Sequence, residues 1–375
     1  MNELLSKYRE SCYEGRRDFL RKITSAAGGF SLAAMGLPGC GARRSLDHGL
    51  MDSGITRKAP GEARVSLVSG SDRRDMIVEA LRPFEKEIRA GIVDKQVVIK
   101  LNCVGQNGHP LMVTHPDAVR GVLDFLKPIY NRRVIIAEST VQNKNPERTF
   151  DIFGYRPLER EYNTKIVELN DEPSDYRWIL DHDLYPTRIR IIRPFLDPGN
   201  YFFSVTRLKT HNAVVATLTL KNMVMGSPLK IPRQKINEKQ KMHAQSKTNK
   251  SPKMINFNIF LMAHRVRPDF AVLDGFEGVE GNGPANGDPV DHRVALAGPD
   301  FLAVDRMGAE LMGVPWEYIG YLNYCADAGL GQGDRSKIRV IGADPEKLAR
   351  RYRLHDNIDW QLKWMDDLVI DRPKS

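Results

Sequence analysis

From Arg64 onward, short apolar runs rich in β-branched residues alternate with stretches whose apolar positions recur every three or four residues. The runs VSLVSG at 65–70, QVVIKLN at 96–102 and RVIIAES at 133–139 predict strands, and the stretches near 73–90 and 116–127 predict helices between them. Further strand-like runs follow at Lys165 to Leu169, Tyr201 to Thr206, Asp269 to Asp274, Arg293 to Ala297 and Lys337 to Ile341. This alternation predicts an α/β fold, a mainly parallel sheet with helices on both faces in three layers. Residues 171–200, rich in Pro and Asp, read as an excursion from the sheet, and no internal repeat is present.

The N-terminus follows a different pattern. Arg16 and Arg17, followed by Asp18, Phe19, Leu20, Arg21 and Lys22, resemble a twin-arginine export signal. The apolar run Ile23 to Leu37 is too short to span a bilayer as a helix and suits the hydrophobic region of a signal. It ends at Leu37-Pro38-Gly39-Cys40, which resembles a bacterial lipobox with Cys40 as the lipidated residue. The chain therefore divides into a signal over 1–40, a tether over 41–63, an α/β domain over 64–345 and a helical tail over 346–375. The expected destination is the periplasm or cell envelope, reached through the twin-arginine machinery, with membrane contact only through a lipid at Cys40.

A formal net charge of +9 on 375 residues invites a nucleic-acid reading. Residues 1–39 carry a surplus of two positive charges and residues 229–253 a surplus of seven, which together account for the whole imbalance. The basicity is thus one short segment without aromatic residues on a neutral body, not a face suited to nucleic acid. That segment reads as a mobile loop capping the sheet edge and open to trypsin. Of the four cysteines, Cys12 and Cys40 belong to the signal, so Cys103 and Cys325 allow at most one disulfide, and nothing in their spacing supports it. No CxxC or HExxH spacing is present, so neither an iron–sulfur cluster nor a structural zinc site is written locally.

In an open α/β sheet, ligands bind at the carboxyl ends of the strands. Polar groups collect there: Lys100 and Asn102 after QVVIKLN, Glu138 and Ser139 after RVIIAES, Lys209 and His211 after YFFSVT, and Asp274 after DFAVLD. His211 reads as the start of a helix with Asn212 as its cap and Gly226 closing it, which puts Lys221 and Asn222 in the last turns. Ten residues of helix separate Lys221 from His211 by about 15 Å. A shared site would need a bend or a late helix start. Lys209 and His211 are either anion contacts or members of a structural ion pair.

Asp269 to Val290 read as a strand ending at Asp274 and opening into a glycine-rich loop, 275–287, with Glu277, Glu280 and Asp288. Glycines such as Gly281 and Gly283 allow close backbone approach to a ligand, and the acids could serve a hard cation or act as a base. The alternative is a solvated surface turn. In AGPDFLAVDRMGAELMG, Asp300 is placed as an N-cap, and Asp305 lies on the apolar stripe of the following helix. A buried carboxylate needs a partner, and Lys209, Lys221 or Lys100 could supply it. Both acids read as supports for the site. His115 reads as a helix start with Thr114 as cap, and Cys103 as a small buried filler.

The ordered motifs KLN, THP, AES, LKTH, KN, RPDFAVLDG with EGNGP, GPDFLAVD and GLGQGD resemble the domain of unknown function 362 family, from Val97 to about Gly342. The matching positions include Lys100, Asn102, His115, Lys209, His211, Lys221, Asn222, Asp274, Glu280, Gly281, Gly283, Pro284, Asp300 and Asp305. The resemblance implies an exported α/β protein; some members carry a ferredoxin-like segment whose cysteines this chain lacks. The resulting expectation is an enzyme acting on a small anionic substrate, with Lys209, His211, Glu280 and Asp274 catalytic. Lys100, Asn102, Lys221, Asn222, Gly281 and Gly283 would bind substrate, and a divalent metal or organic cofactor is allowed. The alternative is a non-catalytic anion-binding lipoprotein.

Overall fold

The computed structural model describes residues 61–103, 109–140, 146–181, 183–231, 237–243 and 251–366. The twin-arginine stretch, Cys40 and nearly all of the tether lie outside them. The strands are β1 (Ala63–Ser69), β2 (Gln96–Lys100), β3 (Val134–Glu138), β4 (Thr164–Glu168), β5 (Ser174–Leu180), β6 (Pro186–Ile192), β7 (Asn200–His211), β8 (Val215–Thr217), β9 (Phe270–Asn282), β10 (Asn286–Gly298) and β11 (Ile338–Gly342). Nine of them form one sheet in the order β11-β1-β10-β9-β7-β2-β3-β4, with β8 joined to β7. Neighbours from β9 through β7, β2 and β3 to β4 are parallel, whereas β10 and β8 run against their partners. The excursion at 171–200 holds β5 and β6, which pair with each other as a separate two-stranded sheet.

Both faces of the large sheet are covered, which is why its strands read as nearly continuous apolar runs. Successive residues alternate between two cores, as the pleat requires. Val97, Ile99, Phe203 and Val272 pack with Ile77, Val119 and Val122 from the helices Arg73–Leu81 and Pro116–Leu126. Val98, Phe202 and Leu273 pack on the other side with Leu220, Phe257, Val304 and Leu322. These come from the helices Thr219–Gly226, Ser251–Ala263, Phe301–Leu311 and Gly320–Asp327. The fold is the three-layer α/β arrangement that the pattern predicts. In the C-terminal tail, Trp364 is buried and meets Tyr324 edge to face at 5.7 Å.

Three local expectations change. The glycine-rich stretch 275–287 is mostly strand: β9 and β10 form a long hairpin, paired from Ala271 with Gly298 out to Asn282 with Asn286. Its glycines answer steric demands of the hairpin; Gly281, for one, has φ +70. Second, His211 ends β7 and starts no helix; β8 intervenes, and the helix begins at Thr219. Thr217, β-branched, favours the extended conformation of β8, which Val215 enters from the turn at φ +66. Third, the described parts of the basic segment are folded. Asn237 and Gln240 form a reciprocal capping box on the helix Glu238–Met242, and Lys230, Glu238, Met242 and Lys253 are buried.

Candidate functional site: a lysine-lined cavity at the sheet edge

The carboxyl ends of β2, β3 and β7, the helix Thr219–Gly226 and the basic segment enclose a cavity of about 110 Å³. Lys100, Lys209, Lys221, Lys230 and Lys239 line it, with His211 and His243. Among the described residues Glu138 is the single carboxylate in the lining.

Each group is placed by a strand end or a helix turn. Lys100 is buried and pairs with Glu138 at 2.7 Å, also donating to the Leu101 carbonyl at 2.6 Å. A Cβ at Gly226 would lie 2.5 Å from the Lys100 Cε, so only glycine there lets the lysine pass. Glu138 further accepts from the Cys103 and Ser139 backbone N–H groups. Lys209 donates to the Asn102 side-chain oxygen and, at 2.6 Å, to the Met112 carbonyl. Lys230 donates to Ser139 Oγ at 2.6 Å and to the Gly226 carbonyl at 3.1 Å. Asn222 joins the set, accepting from Asn102 at 3.1 Å and donating to Ser204 Oγ at 3.1 Å.

The late helix start brings Lys221 to this cavity. It is the third residue of the helix, in the first turn, where the dipole opposes a positive charge. Asp305 holds the same turn, accepting from the Thr219 N–H at 2.8 Å, the Thr219 hydroxyl at 2.6 Å and the Leu220 N–H at 3.0 Å. Its partners are therefore the helix N-terminus and not a lysine, and burial pushes its carboxyl up to about 7. Asp300 caps the helix Phe301–Leu311 and also accepts from the Gln332 N–H.

Electrostatically the cavity is overloaded with cations. Desolvation pushes Lys209 down to about 7, with Arg207 adding to the effect. Lys221 and Lys230 are pushed well below the ordinary lysine range by burial, with Lys239 next. Lys239 is lowered in the same direction, and burial pushes His243 down to about 3. His211 is likewise driven well down by burial and by Lys221. Its Nδ1 accepts from the Ala213 N–H at 3.0 Å, which leaves the proton of the neutral ring on Nε2.

The structure does not bring every expected residue here. Asp274 is buried elsewhere, paired with Arg73 at 3.2 Å and accepting from the Phe276 N–H. Glu280 accepts from the Arg353 N–H at 3.0 Å, and Asp288 across the hairpin pairs with the same arginine. Neither Asp274 nor Glu280 lines the cavity. Gly281 and Gly283 hold the hairpin tip on Thr210: the Thr210 hydroxyl donates to the Gly281 carbonyl, and a Cβ on Gly283 would meet the Thr210 carbonyl oxygen at 2.5 Å. Pro284 beside them does reach the cavity lining. His115, not Thr114, caps its helix, through Nδ1 to the Asp117 N–H. Cys103 and Cys325 are both buried and are not joined in a disulfide. Among the described residues no group of three or more His, Cys, Asp or Glu side chains could hold a metal ion.

Sequence reasoning missed Lys230, Lys239 and His243 as site residues, because a lysine-rich segment reads as solvated. The readable signal was the Asn237-x-x-Gln240 pair, a helix start inside that segment.

These features define a class: a three-layer α/β protein with a cation-lined cavity at the carboxyl edge of its parallel strands. The chain belongs to the family of the domain of unknown function DUF362, whose model matches residues 97–310. It is 28% identical over 159 residues to a thylakoid-associated protein of Synechocystis, a match covering 42% of this chain and 45% of that protein. A solved structure of a Thermotoga maritima protein aligns with a TM-score of 0.38 and 13% identity, over 74% of this chain and 62% of that one. The chain thus spans less than two thirds of the length of each.

Proposed function

We propose that the cavity binds a small anion and that the protein is an enzyme acting on an anionic substrate. The observation that supports this most directly is the charge imbalance: five lysines surround about 110 Å³ of space with one carboxylate, itself engaged by Lys100. Buried cations without counter-ions cost several kcal/mol each, and such an arrangement persists where a ligand completes it. A phosphate, sulfate or small carboxylate is of suitable size, since the volume corresponds to about three or four waters in the liquid.

Within this reading, Lys100, Lys230 and Lys239 neutralise the ligand's charge, and Asn102 and Asn222 fix the lysines that face it. Lys209, balanced near neutrality, and the Nε2–H of His211 supply proton transfer and charge stabilisation. Asp274 and Glu280, each engaged by an arginine outside the cavity, serve the frame of the site in this account. A metal would find no three-ligand set among the described residues and would enter with the ligand. Export by the twin-arginine route and lipidation at Cys40 remain part of the proposal on the strength of the N-terminal sequence. Among the described residues no helix is long and apolar enough to cross a membrane.

Isothermal titration with inorganic phosphate, sulfate and succinate tests the reading. One site per chain, tighter than about 1 mM and weakened at least tenfold by Lys209→Met, is the expected result. Absence of heat for all three, with a folded protein, would overturn it.

A further inference from the structure

The lysines of the cavity are not equivalent. Lys100, Lys209 and Lys230 each donate to an oxygen within 2.7 Å. Lys239 has no such acceptor among the described residues, but it is only half-buried. Of the five, Lys221 alone is buried, at 7% exposure, with no carboxylate and no carbonyl in reach among the described residues. The one polar contact of its Nζ there is the Thr217 hydroxyl at 3.5 Å, longer than a strong ammonium hydrogen bond. It also sits in the first turn of a helix, with Lys209, Lys239 and His211 on the same cavity.

We propose that Lys221 is a nucleophile that forms an imine with a carbonyl borne by the bound anion. The substrate class is then a small anionic aldehyde or ketone, such as a 2-oxo acid. This rests on the anion-binding reading above. Among the described residues the surroundings of Lys221 disfavour its proton: burial, the positive end of a helix, neighbouring cations and the lack of a carboxylate or carbonyl acceptor. A lysine desolvated beside other cations keeps its lone pair, which is how amine nucleophiles are activated. The downward pull of burial on its proton affinity agrees. In the step itself, the Nζ lone pair adds to the carbonyl carbon while the C=O π pair moves to oxygen. The two amine hydrogens then leave with that oxygen as water, relayed by ammonium groups such as that of Lys209. A C=N bond remains, with no change in oxidation state. The surrounding lysines hold the anionic end and so place the carbonyl at Nζ.

The experiment treats the full chain with glyoxylate and sodium cyanoborohydride at neutral pH, followed by peptide mapping. A single reduced adduct at Lys221 is expected, suppressed at least tenfold by excess inorganic phosphate and lost in Lys221→Arg. Neutral propionaldehyde should label the site far less. Labelling of exposed Lys127 and Lys165 as fast as Lys221, or no adduct at Lys221, would overturn the proposal, and the wild-type map decides this even should the variant fail to fold. If phosphate binds by calorimetry while Lys221 stays unlabelled, the imine fails and anion binding stands. If Lys221 is labelled selectively but phosphate neither binds nor competes, the anion-binding reading fails and the amine nucleophile stands.

Discussion

Arg207 and Lys209 are two residues apart on β7, equally buried and both cationic, yet their surroundings differ. Arg207 donates from Nε to the Val113 carbonyl at 2.8 Å, from Nη1 to the Glu277 carbonyl at 3.0 Å, and pairs with the Glu277 carboxylate at 3.1 Å. Lys209 has neutral oxygens only and borders an open cavity. The first is an ion pair, its carboxylate partly exposed, that joins β7 to the β9 bulge between Asp274 and Val279. The second borders the cavity, and in the proposed reading the bound anion completes it. Burial of a cation is therefore no sign of function by itself; what sets Lys209 apart is that it borders the cavity with no carboxylate bonded to it among the described residues.

The largest effect is expected at the support of the lysine region. Asp305→Ala leaves the Thr219 and Leu220 N–H groups unsatisfied in the interior and should cost about 3 kcal/mol in urea unfolding. Arg207→Met should follow at about 2 kcal/mol, because Glu277 and two carbonyls lose their partner. Lys209→Met should stay within about 1 kcal/mol of wild type, or gain stability, because it removes a poorly compensated buried charge. If Arg207→Met and Lys209→Met prove equally destabilising, the comparison breaks.

Proton linkage sharpens it further. A lysine whose folded-state pKa is depressed contributes stability above its unfolded value, and that contribution is lost as pH falls. With Lys209 lowered to about 7 from 10.5, unliganded stability should rise between those values and flatten in Lys209→Met, as measured by chemical denaturation. Asp305 has the opposite sign: raised to about 7 from 3.8, its contribution is lost as pH rises through that window. The smallest effect belongs to Glu280→Gln, a partly exposed pair with Arg353 at 3.7 Å, which should change stability by less than about 1 kcal/mol and leave anion affinity unchanged.

Much of this was legible in the chain. The alternation of apolar runs gave the layers, because strands covered on both faces must be apolar throughout, and the strand-end rule placed Lys100, Asn102 and Lys209 at one edge. The region from 205 to 226 was legible in content but not in spacing. Nothing local distinguishes a strand running on to His211, with β8 after it, from an early helix, and that difference brings Lys221 to the cavity. Glu280 and Asp274 misled for a related reason. Their partners, Arg353 and Arg73, lie far along the chain, so the acids looked free. Conversely, the lysines of the basic segment looked solvated because the burial of Lys230 depends on Ser139 and the Gly226 carbonyl, brought near only by the sheet.

The most direct test of the central claim, that these lysines wait for an anion, is the proton balance of binding. Sulfate stays a dianion across neutral pH, so any proton exchanged on its binding belongs to the protein. Titration at pH 8 in two buffers of different ionisation enthalpy should show uptake of about one proton or more per sulfate, because the anion restores charge to Lys209 and Lys230, both depressed by burial. Sulfate binding with no proton uptake, or proton release, would contradict the account.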